Sequence, residues 1–313
     1  MSAITAAVDR VRSRERRTPT PKASWGDTWW RHAVGIIAVG FALFPVWFVI
    51  SAAFSTADSV SGTSLLPVHL TTHNFTRILT NTVPDQGTQS NVDSHFLRWL
   101  LNTVGIALVT AIGTVVLGAL AAYAFSRFRF RGRRFGMLFL LLIQMFPQLL
   151  LVVSIYLIVL NVGDIFPVMS LNTYTALIVV YLGGSLGVNA WLLKGFFDTI
   201  PSELDESARV DGATPAQVFW GVVLPLAAPV LAVIALISFV GTVNEFILAS
   251  AILQTPDHFT LGVGMQQYID QKYAEHWGPF AAGVLIAAIP VVLLFIFLQR
   301  YIVSGLTAGS VKG

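Results

Sequence analysis

Six long apolar runs alternate with polar connections along the chain, at about residues 32–54, 99–125, 135–160, 174–197, 224–253 and 279–303. Each is long enough to cross a hydrocarbon core about 30 Å thick, which takes roughly 20 helical residues. The runs are continuous rather than alternating, which predicts helices and not the strands of a barrel. The expected fold is therefore all-α, a polytopic membrane bundle of six transmembrane helices. It divides into a basic N-terminal tail (1–31), a membrane domain (32–303) and a short C-terminal tail (304–313).

One connection breaks the pattern. Between spans 4 and 5, at about 198–223, the sequence runs SELDESARVDGATPAQVFWGVVLPLAAP from Ser202 to Pro229. It predicts two short helices. Ser202 and Asp205 fit a capping box for the first, Gly212 suits a left-handed C-terminal turn, and Thr214, Pro215 and Gln217 fit a second capping box. A polar helix pair of this kind between membrane spans is expected to dock another protein.

Composition agrees with a membrane setting: 55% hydrophobic residues, 11% charged and a mean hydropathy of +0.72. Orientation follows from the basic residues, which are retained on the cytoplasmic side. Sixteen of the nineteen fall on one side: seven before the first span, five in residues 127–134, then Lys194, Arg209, Arg300 and Lys312. Only Arg77, Arg98 and Lys272 fall on the other. Both termini and the polar helix pair are thus expected in the cytoplasm, with external connections at about 55–98, 161–173 and 254–278. This topology accounts for the net charge of +3, so nucleic acid is not an expected partner. The apolar run after the basic tail is too long for a signal-peptide core and reads as a retained span.

Enzyme chemistry is missing. There is no cysteine, hence no disulfide or thiolate metal site. None of the four lysines lies in a GxxxxGK[ST] loop, so a P-loop nucleotide site is absent. The six histidines form no HExxH pattern, and His69 and His73 read as loop residues rather than as metal ligands. GGSLG (183–187) has GxSxG spacing but lies inside the fourth apolar run rather than on a strand-to-helix elbow, and no embedded pair of acids suggests hydrolysis.

Embedded polar groups are few. Glu245, beside Asn244 in the fifth span, either lines a polar translocation path or is protonated or hydrogen-bonded within a helix interface. Asn102, Gln144, Gln148 and Asn189 are expected to bond between helices near span ends, and Gly183 and Gly187 have a GxxxG spacing. Pro45, Pro147 and Pro290 lie within apolar runs, where each frees a carbonyl and can kink the helix. The connection at 254–278 mixes Tyr268, Tyr273 and Trp277 with Gln266, Gln267, Asp270 and Lys272. That composition suits either a polar partner or a membrane interface.

The segment from Glu206 to Ala208, Gly212 four residues later, and Leu224 with Pro225 resemble the EAA loop of permeases of ATP-binding-cassette importers. IQMFP (143–147), YLGG (181–184), LDESARVDGATP, VGMQQY (263–268) and GLTAGSVKG (305–313) resemble the carbohydrate-uptake branch of that family. Within it they are most similar to the smaller permease subunit of maltose and maltodextrin importers. The resemblance covers roughly residues 32–313.

The resemblance implies that Glu206, Ser207, Ala208, Asp211, Gly212, Ala213, Leu224 and Pro225 couple to a separate ATPase dimer that carries ATP and magnesium; this chain itself binds no cofactor. Ser207 stands where the family usually has alanine. Gly305, Leu306, Thr307, Ala308 and Gly309 would enter the ATPase interface as a slender tail. Gln266, Gln267, Tyr268 and Trp277 would contact an extracytoplasmic sugar-binding protein. A second permease subunit and the lipid bilayer complete the implied partners, in a bacterial or archaeal plasma membrane. Trehalose, another oligosaccharide and glycerol phosphate are alternative substrates. A proton-coupled secondary carrier using Glu245 is the alternative from another class.

Overall fold

A computed structural model of the chain describes residues 25–56, 63, 70–80, 83–84, 91–92, 95–269 and 276–310. Among them, four helices are long and apolar enough to span a membrane unbroken, and two bent helix pairs bring the number to six. Helix α1 runs Trp25–Ala53, so the expected basic tail is already helical before residue 32. Its first part, to Phe48, forms a unit of its own, with Ile36, Ile37 and Phe41 exposed.

The second unit holds everything that follows. The segment expected outside the membrane opens with α2 (His73–Leu79), where His73 starts a helix rather than sitting in a loop. A two-residue antiparallel ladder, Val83–Pro84 against Asn91–Val92, lies beyond it. His69 falls outside the described residues.

Helix α3 (Phe96–Arg127) is the longest early span; at about 1.5 Å per residue its 32 residues reach about 48 Å. It packs along α6 (Tyr174–Phe197) and α9 (Ala228–Asn244). Between the large buried side chains near its ends, Phe96, Trp99 and Tyr123, the face it buries is mostly small: Ala107, Ala111, Thr114, Gly118, Ala119 and Ala122. Lipid tails are as apolar as leucine, so helices associate in membranes through close van der Waals approach, which small residues permit. At Gly118 an added Cβ would already touch Leu193 at 3.4 Å. Outward-facing Leu101, Ile112 and Leu120 remain exposed, as a lipid-facing stripe requires.

The expected third span is broken. Helix α4 (Arg133–Gln144) and α5 (Gln148–Ile165) meet at a bend of 105°. Pro147 stands in extended backbone as the N-cap of α5, without the N–H that would continue the ladder. Pro45 and Pro290, by contrast, lie inside unbroken helices.

The expected fifth span, 224–253, is corrected at both ends. Helix α8 (Pro215–Leu226), with a π turn at Phe219–Val223, carries through from the polar segment and meets α9 at 78°. Pro225 and Pro229 flank this corner at Ala227, and neither can donate the hydrogen bond that would keep the helix straight. At the far end α9 stops at Asn244, Glu245 is extended, and α10 (Ile247–Ile252) is separate. After α11 (Leu261–Gln266), the last helix α12 runs Trp277–Ser310. The slender C-terminal tail expected from 304 is therefore helical as far as Ser310, its glycines tolerated at about 1 kcal/mol each.

Candidate functional site: the polar helix pair and the membrane cleft

The polar pair consists of α7 (Ser202–Val210) and the start of α8. Its second half folds as the sequence predicts. Gly212 closes α7 at φ +86°, its N–H donating to the Arg209 carbonyl at 3.0 Å. Thr214 and Gln217 exchange both bonds of a capping box: Gln217 N–H to Thr214 Oγ1 at 3.3 Å, and Thr214 N–H to Gln217 Oε1 at 2.8 Å.

The first half does not. Pro201 is the N-cap of α7 and no side chain caps it, so the Ser202–Asp205 capping box is absent. Asp205 turns inward instead. Its Oδ2 lies 2.7 Å from Arg127 Nε at the end of α3, with the two side chains only 5% and 10% exposed. The same guanidinium donates to the Ile200 carbonyl at 2.9 Å. A buried arginine keeps its charge and needs an anion more than an exposed helix end needs a cap.

This tie is backed by packing. Phe197, Ile200, Val218, Phe219 and Val223 are buried with Ala122 and Tyr123 of α3, and Tyr123 tilts against Phe219 at 5.0 Å between ring centroids. Ala208, Ala213 and Leu224 pack partly against this cluster, so these three expected coupling residues face the membrane domain as well as solvent. Glu206, Ser207, Asp211, Gly212 and Pro225 are exposed. Leu204 and Val210 join them on the free surface, Val210 at 87% exposure. The result is a polar platform with an apolar fringe, fixed to the ends of α3 and α6.

At the far end of α9, the helix break makes a second site. Glu245 accepts the N–H groups of Leu248 and Ala249 at 2.8 and 3.1 Å, capping α10, and accepts Tyr181 Oη–H at 2.5 Å. Below it Ser238 donates to Thr114, which is bonded to Ser185 at 2.9 Å, linking α9, α3 and α6 through hydroxyls. Asn244 faces elsewhere. It shares a cavity of about 520 Å3 with Gln266 and Met265, so two residues expected at separate sites line one space.

The remaining sequence candidates divide. Gln144 bonds across to the Gly184 carbonyl, as expected of an interhelical partner, whereas Asn102 reaches the Asp257 and Phe259 carbonyls in the connection before α11. Asn189 bonds within its own helix, to the Ser185 carbonyl. Of the glycine pair, Gly187 lies against α4, where an added Cβ would sit 2.8 Å from the Leu140 carbonyl, and Gly183 has open space. Gln267 is exposed, Trp277 is half-buried and stacked on Phe280, and Tyr268 is buried with Trp99 and Met265, which removes it from the external surface. Asp270, Lys272 and Tyr273 fall outside the described residues, as do Val311, Lys312 and Gly313.

Residues 114–307 match the family described as "Binding-protein-dependent transport system inner membrane component". The chain belongs to this family. It is a permease of an ATP-binding-cassette importer, a multi-pass protein of the cell membrane rather than an enzyme. The maltose/maltodextrin transport system permease protein MalG of Photorhabdus laumondii is 39% identical over 90% of this chain and 95% of its own length. The galactooligosaccharides transport system permease protein GanQ of Bacillus subtilis is 36% identical over 87% and 90%. Among solved structures, a bacterial ABC transporter involved in the import of the acidic polysaccharide alginate has a TM-score of 0.71 at 23% identity. It covers 91% of this chain and 99% of that one, and so shares the permease fold.

Proposed function

We propose that this permease carries sugars inward, with maltose and maltodextrins as the substrate class, in a complex with a second permease subunit, an ATPase dimer and an extracytoplasmic sugar-binding protein. The observation that carries the mechanical part is the Arg127–Asp205 tie, which makes an exposed helix pair move as one body with α3 and α6. ATP and magnesium act on the ATPase. Its closure pushes on Glu206, Ser207, Asp211 and Gly212, and the spans rock between inward-facing and outward-facing arrangements. Ala208 and Ala213 transmit the push from beneath, since they lie between the platform and the membrane core. Residues 305–309 reach toward the ATPase from the end of α12. Gln267 and Trp277 offer the external contact for the binding protein.

The substrate class rests on the MalG relatives. The GanQ relative favours a second reading, galacto-oligosaccharides, on nearly equal identity. The secondary-carrier alternative loses support because the Glu245 carboxylate serves three donors as a cap and hydrogen-bond acceptor.

The test is uptake into proteoliposomes holding the complete complex with its binding protein. ATP-dependent entry of maltotriose is expected, with little entry of a β-galactobiose. Preference for the galactoside would replace the substrate class, and uptake driven by a pH gradient without ATP would overturn the importer mechanism.

A further inference from the structure

A cleft of about 260 Å3 between α6 and α9 is lined by no residue of the polar helix pair or of the 254–278 connection. Thr110, Tyr181, Ser185, Asn189, Ser238 and Glu245 line it, an array of hydroxyls, one amide and one carboxylate in the middle of a membrane bundle. Thr110 is 1% exposed, and its Oγ1 has no hydrogen-bond partner among the described residues. Buried hydroxyls are ordinarily paired, so this one is poised for a visitor.

The mouth of the cleft is kept open by glycine. Gly184 and Gly241 are both exposed, and a Cβ built on either meets no atom within 4 Å. Neither has the positive φ that would explain a glycine, and in a helix interior glycine is unfavourable relative to alanine. What their bare backbone provides is space. Ile237 and Leu248 add an apolar wall suited to the C–H face of a sugar ring.

Charge narrows the ligand. Among the described residues no Lys, Arg or His lines the cleft, and Glu245 is its one ionisable acid. A phosphate or uronate brought here would meet a carboxylate in a low-dielectric site with no cation to offset it. A neutral polyol would find acceptors and donors. We propose that this cleft holds one ring of an uncharged sugar during passage and turns away anionic sugars, giving this subunit a share in substrate selection. The assignment rests on the sugar-import function proposed above.

The chain has no cysteine, so Gly241→Cys creates a single labelling site on it. In the complete reconstituted complex, with binding protein and ATP present, the rate of modification by a small polar maleimide is read on this subunit. Maltose is expected to slow labelling about threefold or more, and glycerol 3-phosphate to leave it unchanged. Thr110→Val, which keeps the shape and removes the hydroxyl, is expected to raise the half-saturating maltose concentration by about three- to tenfold with expression retained. Unaltered labelling and unaltered half-saturation, in a complex that does transport maltose, would overturn the cleft assignment alone. Equal protection by both ligands would overturn the selection against anions. A complex that moves no sugar defeats the importer reading and this one with it.

Discussion

Arg127 and Asp205, 78 positions apart in the sequence, form a buried ion pair that fastens the polar helix pair to the long central span. Removing one partner of a buried pair strands the other charge, at a cost of about 3–5 kcal/mol. Asp205→Ala and Arg127→Ala are each expected to lose that much, seen as a lower midpoint of thermal unfolding in detergent. Arg127→Met combined with Asp205→Leu should recover most of it. Full stability in either single variant would show that the pair is not the fastener.

Gly212 has the left-handed backbone that other residues resist, but no atom crowds its missing Cβ. Gly212→Ala should therefore cost only about 1–2 kcal/mol, from backbone strain alone. Gly212→Pro also fixes φ at a negative value and deletes the N–H bond to Arg209. Uptake should survive the alanine and be lost with the proline, while both insert in the membrane. Equal uptake by the two variants would argue against a need for this turn.

Gly264 presents the opposite case. A Cβ there would lie 2.2 Å from the Trp99 indole, which is itself held by a bond from Nε1 to the Pro256 carbonyl at 2.7 Å. Gly264→Ala is expected to destabilise by about 1–3 kcal/mol or more through overpacking, and Trp99→Phe added to it should relieve part of the loss. Fluorescence of the tryptophans during unfolding would follow both.

Asp198 gives a pH prediction. Burial pushes its carboxyl up, but bonds from Lys194 and from Ser126 at 2.7 Å, helped by the charges of Lys194 and Arg133, outweigh this and hold it below the ordinary aspartate value. A carboxyl depressed on folding contributes fully above its unfolded value of about 3.9 and stops contributing as pH falls through the lower folded value. Stability from this site should thus be level from about pH 8 to pH 5 and fade only below about pH 4. Its side chain is 42% exposed, so the effect is small. Asp198→Asn should remove the acid-dependent part of the unfolding curve near that pH, and an unchanged acid limb would exclude the site.

The sequence carries the four unbroken spans well because apolar length is a local property, but not the 105° and 78° bends in the other two. It also carries the second capping box and the Gly212 turn, whose partners lie within a few residues. It misplaces Asp205, which obeys the spacing of a cap but answers to Arg127, a residue visible in the sequence only as one of many positive charges. Nor does it reveal that Asn244 and Glu245, adjacent in the chain, face different spaces, because that depends on the helix breaking between them and α10. Asn172 is another such case: at φ +61° its side chain receives the N–H groups of Gln254 and Thr255, a long-range bridge with no local pattern to announce it.

The Ser238, Thr114 and Ser185 hydroxyls join three spans at a depth where the ion pair would be too rigid a bond. Each hydroxyl can rotate and exchange donor for acceptor without stranding a charge. Helices joined this way can slip past one another by small steps and re-pair at each. Under the mechanism proposed above, the molecule is clamped where force would enter and lubricated where the spans would shear.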